Sequence, residues 1–307
     1  MSKICIIGGA NIDVCGRSEM PLIIHDSNPG VITIRYGGVG RNIAELLCHL
    51  DHPVEFVSCF GDDLNGKALY RDCIEKGMDC GKSKIVESSN HSMYIALMDE
   101  NGELSVGLSD RGILNAFTKE DMMRAVSDLK EEDAVIIDSN LNEELIETAL
   151  QNAKCIKIAD PVSVSKCLKI KPFLHYFDIF KPNKFEAELL SDIEIHNEED
   201  ARKCLDFFLD HGVKEILISL GEEGVLLGTS ERKVWFRHRS VTVHNVTGGG
   251  DALLGMYLSE RMDGIEPFSA IELAIGSAIT MIEKQEIILK HNLKEVIEQM
   301  EIKEIEL

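Results

Sequence analysis

The sequence predicts an α/β fold in which a central, mostly parallel sheet is flanked by helices. Short apolar runs rich in β-branched residues recur at residues 3–9, 54–60, 134–138, 155–160, 177–183 and 215–221. Most of the intervening segments carry apolar residues at helical spacing, for example Leu145, Ile146, Ala149 and Leu150. Nearly continuous apolar strands that alternate with helices are typical of a parallel sheet covered on both faces.

Two regions interrupt this rhythm and predict a second, smaller sheet. Residues 14–36 and 91–111 resemble consecutive strands, and the second pair is joined by a turn around Asn101 and Gly102. At 307 residues the chain can bury a large core, so we expect one domain over residues 1–307 with this small β-layer projecting from it. A projecting layer of this kind is a candidate lid.

The composition excludes several classes of protein. Apolar residues make up 44% of the chain, which is ordinary for a folded domain, but the formal net charge is -21. We therefore expect neither nucleic acid nor an anionic membrane as a partner. Nine cysteines without a CxxC pair argue against a disulfide framework or a zinc site. Without a recognisable leader or an apolar span of about 18 residues, a cytoplasmic location is expected.

The stretch NVTGGGDALLG, residues 245–255, is the strongest local signal of function. It places three glycines at the expected start of a helix, where unpaired backbone N–H groups and the helix dipole favour an anion. Gly248, Gly249 and Gly250 would let such a group approach the backbone. Asp251 would repel an anion unless it works on a neighbouring hydroxyl proton. The alternative is a tight turn in which Asp251 only caps the helix.

A second glycine cluster, GGVGRNIAELL at residues 37–47, also leads into a helix. Asn42 offers both a donor and an acceptor, which suits a polyhydroxylated ligand. Asn11 and Asp13 follow the first strand, at the sheet edge where open α/β folds bind ligands. A turn and a helix cap remain the alternatives at these positions.

Two further motifs follow later strands. Asn183 and Glu186 fit a helix capping box, and a role in organising hydrated Mg²⁺ is about equally compatible with them. The stretch SLGEEG at residues 219–224 fits a tight turn between two strands, with nucleotide contact as the alternative.

In chain order these motifs resemble those of the ribokinase-like, or PfkB-type, carbohydrate and nucleoside kinases. The matching stretches are GGANID at 8–13, GGVGRNIAELL at 37–47, GDD at 61–63, KPNKFEAE at 181–188, SLGEEG at 219–224 and NVTGGGDALLG at 245–255. Several motifs in the right order are far more specific than any one of them. The resemblance implies a three-layer ribokinase-like fold with a β-sheet lid over the acceptor and a nucleotide-binding part formed by the remainder.

The resemblance also implies roles for individual residues. The residue matching Asp251 deprotonates the acceptor hydroxyl, and the amides matching Gly248, Gly249 and Gly250 hold the transferring phosphoryl group. Sugar-hydroxyl contacts are implied for Asn11, Asp13, Gly38 and Asn42. Contacts with ATP are implied for Ser219, Gly221, Gly224 and Thr247, and organisation of phosphate or Mg²⁺ for Asn183 and Glu186, with Glu186 acting indirectly on the metal.

One departure concerns a monovalent cation. The second signature usually begins Asp-Thr, whereas this chain has Asn245 and Val246. In relatives that bind K⁺ nearby, the aspartate helps to hold it, so the resemblance leaves a K⁺ requirement open here.

Within the family, residues 25–45 and the ADPVSVSKC stretch at 159–167 resemble the members that phosphorylate pseudouridine on its 5′-hydroxyl. This implies base contacts for Ser27, Asn28, Ser92, Tyr94 and Lys166. The alternatives are another acceptor, such as ribose, fructose, adenosine or inosine, and a catalytically silent nucleoside sensor. The alternating apolar residues of the lid permit a homodimer through lid sheets. The acidic end of the chain, residues 294–307, is expected to be a last helix.

Overall fold

The computed structural model describes residues 2–110, 112–239, 247–287, 296–298 and 300–307. Within them the strands are β1 (Ile4–Ile7), β2 (Asn11–Ser18), β3 (Gly30–Gly37), β4 (Val54–Val57), β5 (Cys59–Gly61), β6 (Lys84–Val86), β7 (Met93–Met98), β8 (Leu104–Asp110), β9 (Ala134–Asp138), β10 (Ile156–Asp160), β11 (Ile179–Phe180), β12 (Glu215–Ser219), β13 (Val225–Gly228), β14 (Lys233–Arg237) and β15 (Lys303–Glu306). The helices are α1 (Val39–His49), α2 (Leu64–Glu75), α3 (Lys119–Val126), α4 (Glu143–Asn152), α5 (Val164–Cys167), α6 (Lys184–Ser191), α7 (Glu198–Asp210), α8 (Gly249–Met262) and α9 (Pro267–Lys284). None of the helices described is long and apolar enough to cross a membrane.

The central sheet confirms the predicted α/β class. Its strand order is β15-β14-β13-β12-β11-β10-β9-β1-β4, and the strands from β12 to β4 pair in parallel. Alternate residues of each strand enter different cores, because successive side chains of a strand point to opposite faces. Ile4 and Ile6 pack with α1, α8 and α9, whereas Cys5 and Ile7 pack with α3, α4 and α7. The sheet therefore lies between two helical layers, as expected.

The end of the chain departs from the sequence prediction. Residues 303–306 form β15, which pairs antiparallel with β14, so the expected last helix is wrong for this segment. Ile305 lies opposite Trp235, and the Arg232 guanidinium donates to the Glu304 carboxylate at 2.7 Å. Apolar residues at every second position, as in Ile305 and Leu307, fit a strand as well as a helix face. Pairing with the open edge of β14 decides between the two.

The predicted second sheet is present. Its order is β3-β2-β7-β8, with β2 and β7 parallel and the other pairs antiparallel. The turn at Asn101 and Gly102 lies between β7 and β8, as expected, and Gly102 has a φ of 88°. A residue without Cβ adopts that conformation at least cost.

Helices α1 and α8 approach each other closely, and this contact positions the site described below. Asn42 and Leu46 lie one turn apart on α1, and Asp251 and Gly255 lie one turn apart on α8. The Asn42 side chain donates to the Asp251 carboxylate at 2.8 Å. A Cβ on Gly255 would lie 2.7 Å from Leu46 Cδ2, which is closer than atoms pack. Gly255 therefore lets the two helices come near enough for the polar pair to form.

Replacement of Gly255 by leucine is expected to destabilise the protein. The larger side chain would overpack the helix contact, at a cost of about 1–3 kcal/mol, although leucine is the better helix former. Urea denaturation of Gly255→Leu measures the loss. The added Leu46→Ala change, which opens space opposite, should restore part of it; no recovery in the double variant would show that the contact does not limit the approach of the helices.

Candidate active site

Charged side chains meet where neighbouring parallel strands end. Asp138 ends β9, Asp160 ends β10, and Lys181 follows β11. The Lys181 ammonium lies 3.0 Å from the Asp160 carboxylate, and both side chains are almost fully buried. The same ammonium lies 2.9 Å from the position that a Cβ on Gly250 would occupy. A buried cation is therefore held against the first turn of α8.

The three glycines before Asp251 have separate structural reasons. Gly248 caps α8 with a φ of 85°, a conformation that favours glycine. Gly249 has no room for a Cβ, which would lie 2.9 Å from Ile282, and Gly250 leaves space for Lys181. Because Gly248 contributes no side-chain cap, the first N–H groups of α8 are not satisfied from that residue. The three glycines thus combine close packing with a helix start whose geometry suits an anion.

Asp251 lies in the first turn of α8, where its carboxylate accepts the hydrogen bond from Asn42. Burial raises the pKa of Asp251 to about 7, and the nearby Asp160 and Asp138 carboxylates add to the increase. The Asn42 hydrogen bond and the charge of Lys181 oppose it. A carboxyl group with a pKa near neutrality is suited to exchange a proton with a bound hydroxyl.

Asp138 is fully buried and lies near enough to Asp251 to influence its pKa. Its carboxylate accepts from the Gly9 amide at 2.7 Å and from the Asn140 amide at 2.9 Å. Burial raises the pKa of Asp138, and these hydrogen bonds lower it in part. Asp138 ties the turn after β1 to the turn after β9, so both are fixed at the edge of the sheet.

A cavity of about 340 Å³ adjoins this edge. Its lining combines polar residues of the small sheet with residues that follow β8, β9 and β10, namely Asn11, Ser92, Leu114, Asn115, Asn140, Ser165, Lys166 and Lys169. The structure thus brings together Asn11, Ser92 and Lys166 of the predicted substrate residues. The Ser92 hydroxyl is buried and has no hydrogen-bond partner among the residues described, as expected of a group that contacts a ligand.

Other predicted substrate residues lie apart from the cavity lining. The Asn28 side chain forms hydrogen bonds within its own loop. It accepts from the Ile23 amide at 2.8 Å and donates to the Ile23 carbonyl at 3.0 Å. Ser27 is exposed in the same loop. Asp13 lies opposite Arg35 in the small sheet, beside Tyr94, and burial raises the pKa of its carboxyl. The structure therefore does not gather all these residues around one point.

Gly38 lies at the junction between the small sheet and α1. Its φ of 108° and its contact with the backbone of Gly9 both require glycine. The sequence motif therefore has a structural reason at this position, beside its implied substrate contact.

The predicted cofactor residues are neighbours on the main sheet. Asn183 and Ser219 form an isolated parallel bridge, and the Ser219 amide donates to the Pro182 carbonyl at 3.2 Å. Asn183 and Glu186 form the predicted capping box, with bonds of 2.8 and 3.0 Å. Burial raises the pKa of Glu186, and Asp160 adds to the increase. Asn183 and Glu186 therefore have a structural role as the N-terminal cap of α6.

The turn after β12 and the stretch before α8 contain the remaining cofactor residues. Gly221 and Gly224 have φ values of 62° and 101° in the turn between β12 and β13. Thr247 is exposed directly before Gly248. Asn245 and Val246, on which the question of K⁺ rests, lie outside the described residues. In the described ranges, no group of three or more His, Cys, Asp or Glu side chains is arranged to hold a metal ion.

Sequence reasoning missed several polar residues of this edge, namely Asn115, Asp138, Asn140, Asp160, Lys169 and Lys181. A signal was present for three of them. The runs IID and IAD each end in aspartate, and the run ending at Phe180 is followed by lysine. Because parallel strands end at one edge, charges at these positions must lie close together and were candidates for a buried cluster.

Comparisons with known proteins agree with this architecture. The sequence profile of the pfkB family carbohydrate kinases matches residues 1–292. The pseudouridine kinase of Escherichia coli (strain K12) is 36% identical over 275 residues, which cover 89% of this chain and 88% of that protein. The guanosine-inosine kinase of Exiguobacterium acetylicum is 27% identical over 294 residues, covering 93% and 96%. The solved ribokinase of Arabidopsis thaliana has a TM-score of 0.83 at 17% identity, covering 97% of this chain and 99% of that one, which bears on the fold alone.

The pKa of Asp251 predicts a pH-dependent loss of stability. Because its folded value of about 7 lies above the usual 3.8, the protonated carboxyl stabilises the folded state. This contribution is complete below the unfolded value and is lost as the pH rises through the folded one. Asp251→Asn cannot ionise and should gain in melting temperature over the wild type as the pH rises from about 4 to about 7, the window between the two pKa values, with no further gain above it. Thermal unfolding across this range measures the difference.

The control for this experiment is Asp192→Asn, the same change at an exposed position at the end of α6. It should leave the pH dependence as in the wild type. Parallel curves for Asp251→Asn and wild type would contradict the raised pKa.

Proposed function

The chain belongs to the pfkB family of carbohydrate kinases, and we propose that it transfers the γ-phosphoryl group of ATP to the 5′-hydroxyl of pseudouridine. Membership and the kinase relatives make it a phosphotransferase with an alcohol group as acceptor. The observation that carries the chemistry is the partly buried Asp251 carboxylate at the start of α8, which accepts a hydrogen bond from Asn42 and lies near Lys181. The pseudouridine kinase of Escherichia coli, which matches this chain over most of its length, supports pseudouridine as the acceptor.

In the proposed reaction Asp251 is the general base. Its carboxylate takes the proton of the 5′-hydroxyl as that oxygen attacks the γ-phosphorus, and the bond between this phosphorus and the bridging oxygen breaks to release ADP. The amides of Gly248, Gly249 and Gly250 would stabilise the negative charge on the phosphoryl oxygens from the helix start. Phosphoryl transfer depends mainly on positioning and charge stabilisation, which a rigid sheet edge can supply.

The donor site is proposed from the cofactor residues. The Arabidopsis thaliana ribokinase was solved with ribose and ATP, which supports ATP as the donor here. Ser219, Gly221, Gly224 and Thr247 would contact the nucleotide. Mg²⁺ would arrive with the phosphates, since it commonly keeps several water ligands and takes few from the protein. Glu186 suits an indirect role through such water, because its carboxylate already accepts from the Asn183 amide.

The acceptor is proposed to occupy the 340 Å³ cavity. Asn11, Asp13, Gly38 and Asn42 would contact the ribose, and the Ser92 hydroxyl would gain the partner that it lacks among the described residues. Lys166 lines the cavity and could donate to a base carbonyl. Ser27 and Asn28 would reach the base only if the small sheet closes as a lid, which remains part of the proposal.

A second candidate is a purine nucleoside as acceptor. The guanosine-inosine kinase of Exiguobacterium acetylicum aligns with this chain over nearly its whole length. Its sequence identity is lower than that of the pseudouridine kinase. The same base and anion site would serve either nucleoside. The two candidates therefore differ in the cavity and not in the chemistry.

An acceptor panel with ATP tests the function. Phosphorylation of pseudouridine should exceed that of uridine, inosine, guanosine, adenosine, ribose and fructose. Asp251→Asn should lower kcat by about 10²–10⁴-fold while leaving nucleoside binding largely intact, since it removes only the base. Asp192→Asn is the matched control. Preference for a free sugar or a purine nucleoside would reject pseudouridine as the acceptor. Near-normal turnover of Asp251→Asn would reject Asp251 as the general base. Nucleoside binding without turnover of any acceptor would favour a catalytically silent sensor.

A homodimer through the small sheet is the second part of the proposal. Residues paired across its strands put Ile34, Val14, Ile95 and Leu108 on one face. On this face Ile34 and Leu108 are 65% and 67% exposed, and Ile32, Leu97 and Val106 extend it. A contiguous exposed apolar face of this kind is typical of an interaction surface. Asp13 and Tyr94 point to the opposite face, so pairing would leave them available to a substrate.

Light scattering on the purified protein tests the dimer. The wild type should have twice the mass of the chain, and Leu108→Asp should be monomeric because a charge would be buried in the interface. Thr33→Asp, on the other face of the same sheet, is the control and should remain dimeric. A monomeric wild type would refute this part without touching the kinase proposal.

A further inference from the structure

The turn between β10 and α5 contains an unfavourable backbone conformation. Val162 has a φ of 65°, and the Ser163 amide donates to the Pro161 carbonyl at 2.7 Å across this single residue. These are the φ and the hydrogen bond of a classic γ-turn, which is rare and strained. Positive φ is especially costly for a β-branched side chain. Of the non-glycine residues with positive φ in the ranges described, Val162 is the only β-branched one.

Two buried side chains hold this turn. The Ser139 hydroxyl donates to the Pro161 carbonyl, and the Asp160 carboxylate accepts from the Val162 amide at 2.7 Å. Ser139 follows β9 and is fully buried, and Asp160 ends β10. An unfavourable backbone conformation persists only where the surroundings hold it, and such conformations are concentrated at functional sites. The clamps at Ser139 and Asp160 are surroundings of that kind.

The turn lies between the two parts of the site. On one side, Asp160 forms the ion pair with Lys181 beside Gly250. On the other side, α5 begins two residues later and places Ser165 and Lys166 in the cavity. Lys166 also donates to Asn140, the residue after Ser139. A change of φ at Val162 would therefore move the cavity lining relative to the catalytic edge.

We propose that Ser139 is a positioning residue that holds the strained turn at Val162 and thereby fixes Lys166 and Ser165 in the acceptor cavity. This inference rests on the proposed function for the identity of the acceptor, though not for the coupling itself. If the hydroxyl clamp is removed, the valine leaves its unfavourable φ and carries α5 with it. With glycine at 162 no strain is released, so the turn can stay in place without the clamp.

A double-mutant cycle tests this coupling. Ser139→Ala should raise the KM for the acceptor about tenfold, because a displaced side chain no longer meets the substrate, with the KM for ATP nearly unchanged. Val162→Gly alone should melt about 2 °C higher or more and keep its kinetic constants within about threefold of wild type. The double variant should have a KM for the acceptor close to that of Val162→Gly. A merely structural loss at Ser139 would not produce this recovery. Asp192→Gly, a positive-φ residue that ends α6, controls for the glycine itself.

Hydrogen exchange of the free protein tests the same coupling without any acceptor. The Lys166 and Cys167 amides both donate to the Ser163 carbonyl at 2.9 Å. Their exchange should become faster in Ser139→Ala and return toward wild type when Val162→Gly is added. Equal effects of Ser139→Ala in both backgrounds, or none in either, would overturn the inference. Failure of pseudouridine as acceptor would reject the proposed function alone, because the kinetic cycle is then run with the acceptor that the panel identifies.

Discussion

The ion pair between Lys181 and Asp160 is the contact on which the arrangement of the site depends. The Lys181 ammonium lies 3.0 Å from the Asp160 carboxylate, and its own pKa is raised by Asp160, Glu186 and Asp251 against the effect of burial. Buried charges are tolerated only when they are paired, and removal of one partner from such a pair typically costs about 3–5 kcal/mol. Gly250 and the start of α8 are shaped around this ammonium. The position of the helix start, and with it that of Asp251, thus depends on this ion pair as well as on the packing of α8 against α1.

This arrangement also explains how an acidic chain could offer the proposed anion site. A net charge of -21 opposes the binding of a polyphosphate at long range. The charges of Asp138, Asp160 and Glu186 are enclosed in the protein, where they are partly compensated by hydrogen bonds and by Lys181. The helix start then supplies N–H donors that carry no counter-charge of their own. Burial of the carboxylates has a cost in stability, which is typical of sites that tune a proton-exchanging group.

Much of the fold could be predicted from the sequence, because continuous apolar strands and helical spacing follow directly from burial. The glycines and Asp251 could be placed at a helix start for the same local reasons. Side-chain partners could not be predicted where they depend on which strands are neighbours: Lys181 and Asp160 are 21 positions apart and meet only because β10 and β11 pair in parallel. Asn28 was assigned to the acceptor by resemblance, but hydrogen bonds within its own loop occupy it in the structure. The strand β15 depended on an open sheet edge that the local pattern does not contain.

The division between a buried edge and an open cavity has a consequence for specificity. The residues that set the charge of Asp251 come from strand ends and α1, which the core holds rigidly. The cavity residues come from the small sheet and from short turns, which can vary in sequence without disturbing that core. One chemistry can then serve different acceptors, as the relatives with pseudouridine kinase and guanosine-inosine kinase activity illustrate. The turn at Val162 joins these two parts, because Asp160 belongs to one and Lys166 to the other. In the proposed reaction, an acceptor that fits the cavity is useful only when its hydroxyl also reaches Asp251, so the geometry of that turn would bear on both selection and transfer.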